Sequence, residues 1–173
     1  WEDRKTCVLF ADGAASIVLS KSEREGIIDS ICKSYGDNGE FLSIGGREIK
    51  NPFMDESISK YQYLDMDGSE IFKFATSSVT SSIKDILQKN NMTIDDIDYI
   101  VPHQANVRII EYVAKKLKTS MDKFYMNIDT YGNTSSASIP LALNEMYNKG
   151  ILQKGQNLLL VGFGGGLTYG SSL

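Results

Sequence analysis

Histidine and cysteine are scarce in this chain: His103 is the only histidine and Cys7 and Cys32 the only cysteines among 173 residues. Two cysteines cannot build the disulfide framework of a small secreted domain, and neither stands in a metal-ligand spacing. Long apolar runs are missing too; none approaches the roughly 18 residues of a membrane span. The opening Trp1-Glu2-Asp3-Arg4-Lys5 lacks the basic and then apolar layout of a signal peptide. No sign of charge dominates, since 18 basic against 22 acidic residues leave −4, which is no nucleic-acid footprint. Metal, nucleic-acid and membrane chemistry thus find no support, and the expectation is a soluble, cytoplasmic chain. What is present, 42% hydrophobic and 23% charged residues, is the composition of a globular domain.

Alternating strands and helices predict an α/β domain. Thr6 to Phe10 is a strand-like apolar run, and Asp12-Gly13 before Ser16 to Leu19 is a hairpin signal. A chain that opens mid-sheet reads as a piece of a longer polypeptide. Gly26 to Ile31 reads as a short strand, and Ser34 to Pro52 as a glycine-containing loop. From Asp67, Ile71, Phe74, Ala75, Val79, Ile83, Ile86 and Leu87 recur at helical spacing. Thr93 to Asp96 resembles a capped helical turn, and Tyr99 to Val101 a buried strand ending at Pro102. A helix over 106–117, a strand over 124–128, a helix over 136–148 and a strand over 158–161 complete the pattern. The opening hairpin makes the expected sheet a mixed one.

Candidate chemistry clusters at strand ends, where ligand sites of α/β sheets lie. His103 follows the strand that ends at Pro102; a hydrogen-bonded structural histidine is the competing reading. Asn133 sits in Tyr131-Gly132-Asn133-Thr134-Ser135, where an amide can equally cap a helix. Together, a neutral imidazole and an amide are donors suited to an oxyanion or enolate. Gly164-Gly165-Gly166 match neither phosphate-binding glycine motif, though they let a backbone N–H approach an oxyanion closely. Cys7 lies in the apolar run, where burial makes a thiol inert, and Cys32 lacks a helix amino terminus. No serine stands in a nucleophile elbow. The chain has helpers and no convincing nucleophile.

Val101-Pro102-His103-Gln104-Ala105-Asn106-Val107-Arg108, Gly132-Asn133-Thr134-Ser135, Phe163-Gly164-Gly165-Gly166-Leu167-Thr168-Tyr169-Gly170 and Asp12-Gly13-Ala14 closely resemble the β-ketoacyl-acyl-carrier-protein synthase III family. The motifs occur in the family's order and run from end to end of the chain. The resemblance is to the carboxyl-terminal half alone. It implies that residues 1–173 form one carboxyl-terminal thiolase-like domain, layered α/β/α around a mixed five-stranded sheet. The nucleophilic cysteine is then expected on an absent amino-terminal half, and the isolated chain is expected to be inactive.

The resemblance also implies roles. The family's enzymes take an acyl group from acyl-CoA onto a cysteine, decarboxylate malonyl-acyl carrier protein and join the two, starting type II fatty-acid synthesis. Both are substrates, and no cofactor or metal is implied. His103 and Asn133 match the donors to the decarboxylation oxyanion, and Gly165 the amide of a second oxyanion hole. Arg4 matches a CoA-adenine contact, Leu9 and Phe10 one wall of the pantetheine channel, and Met66, Gly68 and Phe72 the other. Ala105, Asn106 and Ile109 match pantetheine contacts. Arg108 matches the arginine that docks acyl carrier protein, with Lys73, Lys115 and Lys116 as helpers; a solvated helix face equally explains the lysines. The implied partners are carrier protein, acyl-CoA, the amino-terminal half and a second copy in a homodimer. Ala11, Tyr169 and Lys5 depart from the usual glycine, tryptophan and small residue. A CoA- or carrier-binding half-domain, or a thiolase-fold acyltransferase of secondary metabolism, stands as the alternative.

Overall fold

The computed structural model describes residues 3–23, 26–45, 53 and 63–173. Gly46 and Pro52, part of the loop expected over 34–52, lie outside the described residues. In chain order come β1 (Ser30–Ser34), β2 (Leu42–Ile44), β3 (Leu64–Met66), α1 (Gly68–Lys89), β4 (Tyr99–Pro102), α2 (Val107–Leu117), α3 (Ile128–Tyr131), α4 (Ser138–Asn148), β5 (Leu158–Gly164) and β6 (Thr168–Ser172).

The two helices α1 and α2 begin where side chains satisfy their first amides. Asp67 Oδ1 accepts from Ser69 N and Glu70 N at 3.0 and 3.1 Å, which starts α1. Its periodic residues Ile71, Ala75, Val79, Ile83, Ile86 and Leu87 are all buried. Asn106 Oδ1 accepts from Arg108 N at 2.9 Å and starts α2, whose buried stripe is Ile109, Ile110, Val113 and Ala114. Lys118, in the left-handed region with φ 55°, ends it. Thr93 and Asp96 close a capping box around the turn Ile94–Asp96.

The main sheet has the order β1-β6-β5-β4, with β4 and β5 parallel and the other pairs antiparallel. Strand alternation sends Ile100, Leu159 and Val161 to one face, where they pack with α1 and α2. Val101 goes to the other face against Ala142 and Met146 of α4, with Leu160 beside them. Helices therefore cover both faces, the layering expected of the resemblance. β4 ends at Pro102 in a buried position.

The strand inventory differs from expectation in several ways. The main sheet has four strands among the described residues rather than five, and β2 pairs β3 in a separate antiparallel ladder. Thr6 to Phe10 is no strand. Asp3 accepts from Lys5 N and Thr6 Oγ1 and starts a turn in which Leu9 N and Phe10 N both reach Thr6 O. Only Phe10 makes a bridge, to Asn133. The Asp12-Gly13 hairpin is absent as well. Gly13 instead lies so close to Thr134 that a Cβ would meet its Cβ and Cγ2 at 2.8 Å. The strand expected at 26–31 forms instead over Ser30–Ser34, as β1. Over 124–128 a single bridge from Phe124 to Ile100 gives way to α3. Finally, β6 forms from the polar, glycine-bearing Thr168–Ser172, which carries no apolar alternation.

Candidate functional site

A cleft of about 840 Å³ opens at the carboxyl ends of β4 and β5, within the size range of small-molecule sites. It is lined by His103, Asn133 and Gly165, by Leu9, Phe10, Met66, Gly68 and Phe72, and by Ala105, Asn106 and Ile109. The residues singled out as donors and as channel walls, which are scattered over more than 150 positions of sequence, thus meet at one surface.

His103 is held from three directions. Its backbone N–H donates to Val161 O at 2.8 Å and prolongs the parallel β4–β5 pairing by one step. Its ring stands edge-on to Phe163, with centroids 5.3 Å apart. Nδ1 lies 2.7 Å from Ser138 Oγ, at the start of α4. Burial pushes the imidazole's pKa down to about 4, because the charged form loses solvation without gaining a partner. The ring is therefore neutral at pH 7 and suited to donate one hydrogen bond rather than to act as a cation.

The adjacent Gln104 anchors that corner from behind. It is buried, and its amide is fully used: Nε2 donates to Pro102 O and Tyr125 O at 2.9 and 3.1 Å, and Oε1 accepts from Asn127 N at 3.1 Å. Asn127 Nδ2 donates in turn to Glu145 Oε2 at 2.6 Å, and Glu145 pairs with Lys149. A continuous polar chain thus runs from beside His103 to α4. Buried networks of this kind rigidify when every member is satisfied.

Asn133 is bound by its backbone on both sides, its N donating to Leu9 O at 3.0 Å and its O accepting from Ala11 N at 2.9 Å. Its Oδ1 accepts from Ser135 N at 2.9 Å, which fixes the amide's orientation and leaves Nδ2 as the group for a ligand. Ser135 has φ 53°, an uncommon conformation for a residue with a side chain, in the loop that carries Asn133. Gly165 sits in the turn between β5 and β6, with Leu42 O 3.5 Å from where its Cβ would stand.

Several residues fall elsewhere. Arg4 lies in an exposed turn outside the cleft lining. Arg108, Lys115 and Lys116 are exposed on α2, the lysines two helical turns beyond the arginine. Lys116 Nζ stands 5.3 Å over the Tyr112 ring. Lys73 is exposed on α1, but its ammonium pairs with Glu70 at 2.6 Å. Asn106 has two parts to play, since it lines the cleft and also caps α2. Cys7 is half-buried in the opening turn rather than inside a strand, and Cys32, exposed on β1, lines the cleft beside Gly170. Sequence reasoning missed Ser138, Phe163 and Gln104. Of these, only Gln104 and Phe163 carried a signal, by standing inside the motifs.

The chain matches two family models. One, described as 3-oxoacyl-[acyl-carrier-protein (ACP)] synthase III C terminal, covers residues 87–173; the other, described as 3-oxoacyl-[acyl-carrier-protein (ACP)] synthase III, covers residues 1–36. It is 54% identical over all 173 residues to the β-ketoacyl-[acyl-carrier-protein] synthase III of Clostridium novyi, and covers 53% of that protein. Identity to the Clostridium beijerinckii counterpart is 50%, with 54% of that protein covered. The chain spans about half the length of the curated relatives it matches. Among solved structures, 3-oxoacyl-[acyl-carrier-protein] synthase III from Aquifex aeolicus aligns with a TM-score of 0.85 at 37% identity, over 98% of this chain and 51% of that one. The priming β-ketosynthase of the R1128 polyketide pathway aligns with a TM-score of 0.74 at 30% identity, over 88% of this chain and 46% of that one.

Proposed function

The chain belongs to the 3-oxoacyl-[acyl-carrier-protein] synthase III family, and on that premise we propose that residues 1–173 are the carboxyl-terminal thiolase-like domain of a condensing enzyme that starts fatty-acid synthesis. The substrates on this reading are acyl-CoA and malonyl-acyl carrier protein. The observation that carries it is the shared cleft of His103, Asn133 and Gly165 with the apolar walls Leu9, Phe10, Met66 and Phe72.

The acyl group is held as a thioester on a cysteine of the amino-terminal half. Cleavage of the malonyl carboxylate releases carbon dioxide and leaves its electron pair as an enolate on the thioester oxygen. His103 Nε2 and Asn133 Nδ2 donate to that oxygen. The enolate carbon then bonds to the acyl carbonyl, whose oxyanion the Gly165 amide stabilises, and the cysteine thiolate departs. Two fixed donors lower the first barrier because they meet charge as it develops and need no reorganisation. A neutral imidazole suits this work, and the buried ring of His103 is neutral.

Arg4 is proposed to stack on the CoA adenine, a planar match for a guanidinium. The exposed Arg108, Lys115 and Lys116 of α2 form the basic strip for the acidic carrier protein, with Lys73 a weaker contributor because Glu70 already pairs with it. The complete enzyme is a cytoplasmic homodimer on this reading. No helix among the described residues is long and apolar enough to cross a membrane. A second reading, in which another acyl starter is used, is supported by the similarity to the priming β-ketosynthase.

The test is His103→Ala in the enzyme that carries both halves. Malonyl decarboxylation falls about a hundredfold or more, the usual cost of one oxyanion donor, while acyl transfer from CoA persists. Loss of both half-reactions together would assign His103 another role.

A further inference from the structure

His103 can carry its single proton on either ring nitrogen, and only Nε2–H leaves a donor for the cleft once Nδ1 is engaged with Ser138. The direction of the 2.7 Å contact therefore matters. Ser138 opens α4, so its Cβ is fixed by the helix, and the residue is only 3% exposed. Its hydroxyl has one proton to give and lone pairs to receive. The backbone N–H of Gln104 donates to Ser138 Oγ at 3.4 Å, so one lone pair is already taken. If Nδ1–H also donated to Oγ, the hydroxyl proton would have no acceptor; among the described residues Ser138 Oγ has no third partner. That arrangement leaves a buried donor unsatisfied, whereas the reverse satisfies every group.

We infer that Ser138 is a positioning residue, whose hydroxyl donates to Nδ1 of His103 and so fixes the imidazole proton on Nε2, facing the cleft. This rests on the reading of His103 as an oxyanion donor. Two further features act the same way. The positive end of the α4 dipole lies beside the ring and opposes its protonation. The Phe163 contact and the Val161 backbone bond hold the ring and its Cα, so that the hydroxyl sets the proton's place rather than the residue's. Gln104, through its fully used amide, holds the backbone N–H that orients the serine.

His103 is the only histidine of this chain, so [15N]histidine labelling yields one imidazole to read. At pH 7 Nδ1 is expected to resonate as an unprotonated, hydrogen-bond-accepting nitrogen and Nε2 as a protonated one. A protonated Nδ1 overturns the inference. Ser138→Ala shifts the ring toward the Nδ1–H form. In the enzyme with both halves it lowers kcat for malonyl decarboxylation by about tenfold, the equivalent of one lost hydrogen bond, with KM unchanged. Ser138→Thr keeps the hydroxyl and recovers the tautomer and the rate. Unchanged tautomer and rate in Ser138→Ala overturn the inference. If Ser138→Ala does not fold, the wild-type and Ser138→Thr spectra decide. Should His103→Ala leave decarboxylation intact while the wild-type ring is Nε2–H, the donor reading falls and the tautomer assignment stands.

Discussion

The lowered pKa of His103 makes the stability of the folded chain depend on pH in a defined direction. Folded, the imidazole protonates at about 4; unfolded, near 6.5. Between those values the unfolded chain binds more protons, so stability falls as pH drops from 6.5 toward 4 and is complete above 6.5. A gap of this size corresponds to about 3 kcal/mol. Thermal melts at pH 7 and pH 4.5 are expected to separate, and His103→Gln to remove that part of the difference. An identical pH slope in the variant would place the titration on other groups. The same burial that costs stability in acid keeps the ring a neutral donor, so both properties have one cause.

β6 is the element on which the main sheet depends, because it lies between β1 and β5 and joins them. Gly170 makes that possible. A Cβ there would stand 2.7 Å from Ile31 O and 3.2 Å from Cys32 Sγ, both on β1. The first is backbone in a paired strand and cannot swing aside. Gly170→Ala is therefore expected to cost about 3 kcal/mol, read as a lower urea midpoint, and to loosen β1 before the other strands in hydrogen exchange. Protection of β1 equal to wild type would show that the backbone accommodates the methyl group. α1 and α2 stand in contrast, since capping side chains and an unbroken apolar stripe make each of them locally self-consistent.

Among the described residues, a run of exposed apolar side chains extends along 8–28. Val18 is 94% exposed, Leu19 76% and Val8 63%, with Ile17, Ile27 and Ile28 exposed beside them. Clustered apolar surface of this kind promotes association. Sedimentation at tens of micromolar is expected to show self-association, and a monodisperse monomer would count against it. Val18→Glu with Leu19→Lys is expected to shift the distribution toward monomer.

The helices α1, α2 and α4 and the strands β4 and β5 were legible because their signals are local: a 3.6-residue stripe, a capping residue, a continuous apolar run. Thr6 to Phe10 was misread since an apolar run is a strand only where a neighbour pairs with it, and Asp3 instead closes a turn there. β6 was unreadable for the opposite reason, as its residues are held by partners on both sides and need no strand propensity of their own. The motifs pointed to His103, Asn133 and Gly165 without geometry. Folding brought them to one cleft, aimed the Asn133 amide through Ser135 and set Ser138 against His103 across 35 positions of sequence. Residue identities and short-range periodicity fixed the chemistry available and the helical frame. The direction of each hydrogen bond and the neutrality of the imidazole came from burial and from contacts between distant segments, which local sequence does not encode.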